Sequence, residues 1–234
     1  MLPAPHIICI NGIRTPTAGD SWPKRLGPYL ESRYRCTAES HYYRTGPVAP
    51  WNLWAVNPRI ARVLASSIES RMEEIGIHPL HLVAHSNGTN IAVSLAKSLA
   101  SRQIRVDQII LIGSAIHSDV EKSGLSDLVT SGQVRRVFAY CSPDDGVISR
   151  LQSVPGFYGS LGARGFDRGG MGLGFRVIAY QPLGIDWGVE RHRYVTRWFP
   201  GYGHSDYFDL ANRGATYECI ARDLALETPA SCPI

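Results

Sequence analysis

Short apolar runs rich in β-branched residues alternate along the chain with longer stretches in which apolar residues recur every three or four positions. The short runs are typical of buried β-strands, and the longer spacing is typical of helices that bury one face. Because strands that alternate with helices form parallel sheets covered on both faces, the pattern predicts an α/β fold with a mostly parallel central sheet flanked by helices. About six strands are predicted, at residues 6–10, 37–43, 80–84, 108–112, 134–140 and 194–198.

The helical stretches lie between these strands and carry recognisable end signals. Ser21 is a suitable N-cap with Pro23 in the first turn of the helix that follows, and a second helix is predicted over 58–75. A third helix is expected after Gly88, and the last is expected over 205–226.

One segment interrupts this alternation. Glycines recur at short intervals between residues 153 and 186, a pattern that breaks both strands and helices. We interpret 153–186 as an insertion before the last strand, either a lid near the functional site or a connecting loop with no role in binding. The 234 residues otherwise predict one domain over 1–234, because this length suits a single core.

Composition narrows the class of protein. Hydrophobic residues make up 44% and charged residues 19%, with a mean hydropathy of -0.10, which is typical of a water-soluble globular chain. No apolar run reaches the roughly 18 residues that a transmembrane helix needs. The net charge of +4 comes from scattered Lys and Arg residues, so no nucleic acid partner is expected.

The chain start and the cysteines add two further expectations. The first residues lack the basic segment and cleavage site of a secretory signal, from which we expect a cytoplasmic location. The five cysteines are widely spaced without a C-x-x-C pair, which predicts free thiols rather than a metal site. A bridge between Cys219 and Cys232 is the alternative.

The densest chemical signal is a serine between two small residues. Ala84-His85-Ser86-Asn87-Gly88 joins a predicted strand to a predicted helix, and a sharp turn of this kind requires small residues two positions before and after its apex. The helix directs its free N–H groups at the serine, where negative charge develops during acyl transfer. Ser86 is therefore the predicted nucleophile, and a capping serine without chemistry is the alternative.

A nucleophilic serine in such a turn requires a carboxylate and then a histidine further along the chain. Asp144 and Asp145 follow the strand predicted at 134–140, and His204 follows the strand at 194–198 in a loop flanked by glycine. These positions make His204 the predicted general base and leave two candidates for the acid. A plain turn at Asp144 and a surface position for His204 are the structural alternatives.

Together these residues resemble the α/β-hydrolase superfamily, and within it the small esterases and lipases with an Ala-x-Ser-x-Gly nucleophile turn. Residues 8–13, Ile-Cys-Ile-Asn-Gly-Ile, are similar to the family's first core strand and oxyanion turn, with Asn11 in place of the usual histidine. The resemblance implies an oxyanion hole made by the backbone N–H groups of Ile13 and Asn87, with Gly12 allowing close approach. The family's Asp-x-x-Val pattern favours Asp144, three residues before Val147, as the acid.

The resemblance also implies the reaction. It indicates a serine hydrolase that cleaves small-molecule or lipid carboxylic esters through an acyl-enzyme, with no metal or organic cofactor. A thioesterase or amidase with the same triad, or a binding protein without catalysis, are the alternatives.

Four further residues are expected to line the substrate pocket. His85 lies beside the nucleophile in the sequence, and the aromatic residues Trp51, Trp54 and Tyr202 lie on segments that follow predicted strands. Loops at these positions often form pocket walls. A satellite hydrophobic core is the alternative for the aromatic residues.

Overall fold

The computed structural model describes residues 4–13, 21–43, 55–75, 79–151, 159–166, 175–179 and 193–227. Its strands are β1 (His6–Ile10), β2 (Thr37–His41), β3 (Leu80–His85), β4 (Val106–Ile112), β5 (Val134–Cys141), β6 (Phe175–Ala179) and β7 (Tyr194–Trp198). They form a seven-stranded sheet in the order β2-β1-β3-β4-β5-β7-β6, and every strand pair is parallel. The α/β class predicted from the sequence is confirmed.

Helices cover both faces of this sheet. They are α1 (Trp22–Arg33), α2 (Asn57–Ile75), α3 (Gly88–Ala100), α4 (Val120–Ser123), α5 (Leu125–Thr130), α6 (Gly146–Leu151), α7 (Leu161–Arg164) and α8 (Arg213–Asp223). The apolar sides of α2, α3 and α5 pack on one face, and those of α1 and α8 pack on the other. Because both faces are covered, every residue of β1 and β3 is buried, as expected for inner strands of a parallel sheet.

All six predicted strands are present, with ends that differ by one or two residues, and a seventh strand was missed. This strand, β6, lies inside the glycine-rich segment and pairs only with β7 among the described strands. β6 is an edge strand, which needs a partner on one side only. Its run at 175–179 is short and lies among glycines, so the sequence shows little of the periodicity that indicates a strand.

The prediction of a last helix over 205–226 was wrong at its start. A short 3-10 turn covers Asp206–Phe208, and α8 begins only at Arg213 with Asn212 as its N-cap. Asp209 accepts backbone hydrogen bonds from the N–H groups of Asn212 and Arg213 at 3.0 and 2.8 Å. Asp and Asn favour turns over helix interiors, which explains the interruption.

Residues 159–166 of the glycine-rich segment pack against the core. The N–H of Gly159 donates to Ala115 O at 2.9 Å, and that of Gly162 donates to Ser114 O at 2.8 Å. A Cβ at Gly162 would lie 2.4 Å from Ser114 N, so the close approach of these two chains requires glycine. Residues 153–158, 167–174 and 180–186 lie outside the described residues, so the lid stays a prediction.

Two sequence expectations concern the thiols and the membrane. Four cysteines (Cys9, Cys36, Cys141 and Cys219) are free thiols, and Cys232 lies outside the described residues. None of the described helices is both long enough and apolar enough to cross a membrane.

Candidate active site

Ser86 occupies the apex of the turn between β3 and α3. Its φ of 56° lies in the left-handed region, which costs a residue with a side chain about 1–3 kcal/mol. Surrounding hydrogen bonds hold it there: Ser86 N donates to Ile112 O at 3.0 Å, and Thr89 N donates to Ser86 O at 3.1 Å. The Thr89 hydroxyl also donates to Ser86 O, at 2.6 Å. These hydrogen bonds to the core therefore hold the serine in its strained backbone conformation.

The glycines on either side of this turn allow the end of β1 to approach it. A Cβ at Gly12 would lie 2.8 Å from the Cβ of Ser86, and a Cβ at Gly88 would lie 2.3 Å from Asn11 O. Both distances are too short for any side chain. The backbone at Gly12 therefore passes close to Ser86.

His204 and Asp145 complete a hydrogen-bonded chain with the serine. His204 Nε2 lies 2.9 Å from Ser86 Oγ, and His204 Nδ1 lies 2.8 Å from Asp145 Oδ2. The Asp145 side chain is fully buried. Its second oxygen, Oδ1, accepts hydrogen bonds from the N–H groups of Val147 and Ile148 at 3.1 and 2.9 Å. The first turn of α6 thus fixes the carboxylate that faces the imidazole.

The choice of Asp144 as the partner of the histidine was wrong. Asp144 is exposed and accepts a hydrogen bond from Gly201 N at 2.6 Å instead. The apolar residue three positions after the acid is Ile148, which is fully buried, whereas Val147 is 45% exposed. The family pattern fits one residue later than expected, with Ile in place of Val.

Gly113, at the end of β4, is a functional position that the sequence analysis missed. Its φ is +48°, and a Cβ there would lie 3.2 Å from His204 Nδ1 and 3.4 Å from Asp145 Oδ2. Glycine at this position therefore leaves room for the histidine and carboxylate to meet. The available signal was a glycine directly after a buried strand, the position where parallel sheets place functional residues.

One of the two candidate oxyanion donors, Asn87, directly follows Ser86 in the chain. Asn87 is the N-cap of α3, where a backbone N–H has no acceptor within its helix. Its side chain forms a reciprocal pair with the buried amide of Asn57, with N–O distances of 3.0 and 3.1 Å. Asn11, which replaces the usual histidine, is fully buried and donates to Gly12 O at 3.0 Å. Buried amides thus hold Asn87, directly after the serine, and the backbone at Gly12, which faces the serine.

Of the four predicted pocket residues, the structure describes His85 and Tyr202. His85 is 6% exposed, and its Nε2 lies 2.9 Å from His204 O, so its ring faces the histidine loop. Tyr202 is half-buried and packs against Phe199 and Tyr207, each with a ring separation of 5.3 Å. Trp51 and Trp54 lie outside the described residues.

A separate cavity of about 960 Å³ opens near the start of β3, β4 and β5. Ser86 follows the opposite end of β3, and six residues of strand span about 20 Å. The described residues that line the cavity include no Ser, Cys or His. Among the described residues, no group of three or more His, Cys, Asp or Glu side chains is arranged to hold a metal ion.

Known proteins were compared with the chain by sequence and by structure. No protein-family model matches, and no curated protein matches by sequence. An arylesterase structure superposes with a TM-score of 0.54 at 11% identity, over 95% of this chain and 76% of that one. An esterase from the archaeon Pyrobaculum calidifontis gives 0.54 at 12% identity, over 96% of this chain and 77% of that one.

Two further structures bear on chain length. The NocB thioesterase domain from the nocardicin cluster gives a TM-score of 0.52 at 16% identity, over 96% of this chain and 95% of that domain. The chain spans only 59% of another match, an uncharacterized protein from Bacillus cereus ATCC 10987. At these identities the similarity establishes the fold and leaves the reaction open. The sheet order, the covering helices and these superpositions show that the chain has the α/β-hydrolase fold.

Proposed function

We propose that the protein is a serine hydrolase that cleaves carboxylic esters. The observation that carries this proposal is the continuous chain from Ser86 Oγ to His204 Nε2 at 2.9 Å and from His204 Nδ1 to Asp145 Oδ2 at 2.8 Å. A nucleophile, a base and an orienting acid in this sequence of contacts make up the machinery of acyl transfer.

In the first half of the proposed reaction, Ser86 attacks the ester carbonyl while His204 Nε2 takes the hydroxyl proton. Asp145 accepts the Nδ1–H, which holds the imidazole in the tautomer with a free Nε2 and stabilises the imidazolium that forms. The backbone N–H groups of Asn87 and Ile13 are the proposed donors to the oxyanion. Collapse of the tetrahedral intermediate releases the alcohol, which receives its proton from His204.

In the second half, water replaces the alcohol. His204 removes a proton from the water, the resulting hydroxide attacks the acyl-enzyme, and the acid leaves as Ser86 regains its proton. These residues carry out the whole cycle, so the proposal requires no metal or organic cofactor. The proposed substrate is a small-molecule or lipid ester.

A thioesterase is the second candidate. The support for it is the NocB thioesterase domain, which the chain matches over 95% of that domain's length. Oxygen esters and thioesters pass through the same acyl-enzyme, so leaving-group contacts decide between them. Rates on an oxygen ester, a thioester and an amide of the same acyl group separate the candidates.

Labelling with a fluorophosphonate probe, followed by peptide mapping, tests the proposal directly. The wild type should carry one adduct on Ser86, and Ser86→Ala should carry none while unfolding at a similar temperature. Hydrolysis of a chromogenic ester should disappear in the same variant. A folded wild-type protein that neither labels nor hydrolyses any of the three matched substrates would overturn the proposal.

A further inference from the structure

The proposed mechanism gives no role to the buried imidazole of His85, which faces the catalytic pair. His85 is 6% exposed. It is the last residue of β3, and its ring faces the loop that carries His204. The two histidine rings are 4.7 Å apart, centre to centre. Phe208 and Trp22 meet the His85 ring edge-on, at 5.1 and 6.4 Å. These three aromatic neighbours fix the plane of the His85 ring.

The direction of its hydrogen bond defines the tautomer of His85. Nε2 lies 2.9 Å from His204 O, and a carbonyl oxygen only accepts, so Nε2 carries the hydrogen. Burial, together with the facing His204 ring, lowers the pKa of His85 to about 3, although the hydrogen bond to the His204 backbone and the nearby Asp145 oppose this shift. His85 is therefore a neutral donor at ordinary pH, and it adds no charge beside the imidazolium that forms on His204.

The backbone around His204 has little regular structure of its own. Gly201 has a φ of +80° and donates its N–H to the exposed Asp144. Gly203 donates to the half-buried Asp206. Hydrogen bonds to carboxylates in contact with water contribute less than buried ones. The hydrogen bond from the buried ring of His85, by contrast, acts on the backbone of the base itself.

The position of His85 in the chain ties the base to the nucleophile. His85 is the last residue of β3, and Ser86 follows it directly. Any shift of β3 moves the serine and the anchor of the histidine loop together. A catalytic base displaced by about 1 Å can lose on the order of a hundredfold in rate, so this shared anchor bears on the rate.

We propose that His85 is a positioning residue that holds His204 against Ser86 through its hydrogen bond to the His204 carbonyl. This inference rests on the proposed function. It assigns His85 to the alignment of the base, where the sequence had suggested a pocket wall.

Two substitutions separate the hydrogen bond from the ring. His85→Phe keeps a planar ring but removes the donor, and His85→Gln places an amide N–H near the position of Nε2. We expect kcat and the rate of fluorophosphonate labelling to fall about 10- to 100-fold in His85→Phe, with KM changed less than about twofold. His85→Gln should recover most of this loss. If His85→Phe does not fold, His85→Leu gives the same comparison.

The position of His204 is measured independently by NMR of its imidazole nitrogens. Wild type and His85→Gln should share the Nδ1–H tautomer and a slowly exchanging Nδ1 proton, and His85→Phe should lose that protection. Wild-type rates and spectra in His85→Phe, or no recovery in His85→Gln, would overturn the positioning role and leave the proposed function standing. If the wild type does not label at all, the proposed function fails, and the spectra alone decide the role of His85.

Discussion

The turn that carries Ser86 and the loop that carries His204 meet in one hydrogen bond, yet different interactions hold them. Mainly main-chain contacts fix the serine, through Ile112 O and through glycines whose positions leave no room for a side chain, with one side-chain hydroxyl, that of Thr89, donating to Ser86 O. Side chains fix the histidine loop, with Asp144 and Asp206 on its N–H groups and His85 on its carbonyl.

Because of this difference, we expect substitutions in the two regions to affect the stability of the fold and the catalytic rate differently. Substitutions around the serine disturb the contact between β1, β3 and α3, so they should weaken the fold together with activity. Substitutions around the histidine should reduce activity in a protein that still folds, because loop anchors contribute little to the core. The following experiments test that separation.

Among substitutions that keep Ser86, Asp145→Asn should have the largest effect on activity. The amide keeps an oxygen for the N–H groups of α6 but no longer stabilises the working tautomer of His204, so kcat/KM should fall about 10³- to 10⁴-fold. Asp144→Asn, one residue away, is the matched control and should cost less than about tenfold. Steady-state rates and unfolding temperatures of both variants check this, and equal losses would show that the two carboxylates share one role.

Gly88→Ala should give the largest loss of stability. Its Cβ would lie 2.3 Å from Asn11 O and 2.8 Å from Ile10 O, and backbone atoms cannot turn aside as a flexible side chain can. We expect the free energy of unfolding to fall by about 3 kcal/mol. Gly146→Ala, where nothing lies within 4 Å, should be neutral or slightly stabilising. Chemical denaturation measures both, and a Gly88→Ala protein as stable as the wild type would contradict the packing described.

Gly113→Ala should lower kcat more than the control substitution Gly132→Ala does. The added methyl would press on His204 Nδ1 and Asp145 Oδ2, so kcat should fall about 10-fold or more. Gly132 also has a positive φ, of +75°, but has open space around it. Gly132→Ala should therefore share the backbone strain of about 1 kcal/mol without the loss of rate. Similar kcat values in the two variants would rule out a direct effect of the methyl on the pair.

The smallest predicted effect is a dependence of stability on pH. Burial lowers the pKa of His85 to about 3 in the folded protein, while the unfolded chain binds a proton near pH 6.5. Between these values the unfolded state holds more protons, so stability falls on acidification from pH 6.5 towards 3. His85 should account for about 1 kcal/mol of lost stability between pH 7.5 and 5.5.

His85→Gln should remove this contribution. The buried His81, with its pKa lowered to about 4 by burial, stays in both proteins and cancels in the difference. Denaturation curves of both proteins at pH 7.5 and 5.5 measure this difference in stability. The same acid sensitivity in wild type and His85→Gln would contradict a neutral buried His85.

Much of the fold was readable from the sequence, because buried parallel strands leave continuous apolar runs such as residues 7–10 and 109–112. Ser86 and His204 were readable for a related reason. A sharp turn restricts the residues around a serine, and the end of a buried strand restricts where a loop histidine lies. In each case local chain geometry determines the signal.

The acid and the edge of the sheet were harder to read. Two adjacent aspartates in a turn have the same propensities, and only burial in three dimensions separates Asp145 from Asp144. His85, Asn57 and Gly113 act through contacts with residues at least 30 positions away in sequence. Such contacts depend on the packing of whole elements, which leaves no local pattern.

The strained backbone at Ser86 bears on the stability of the chain. Glycine adopts a φ of 56° with little strain, so a glycine there would relieve the backbone. Serine keeps a hydroxyl at this apex but bears the backbone strain that a glycine would avoid. The proposed nucleophile therefore costs the fold some stability, and a stabilising exchange to glycine would remove the group that the proposed reaction needs.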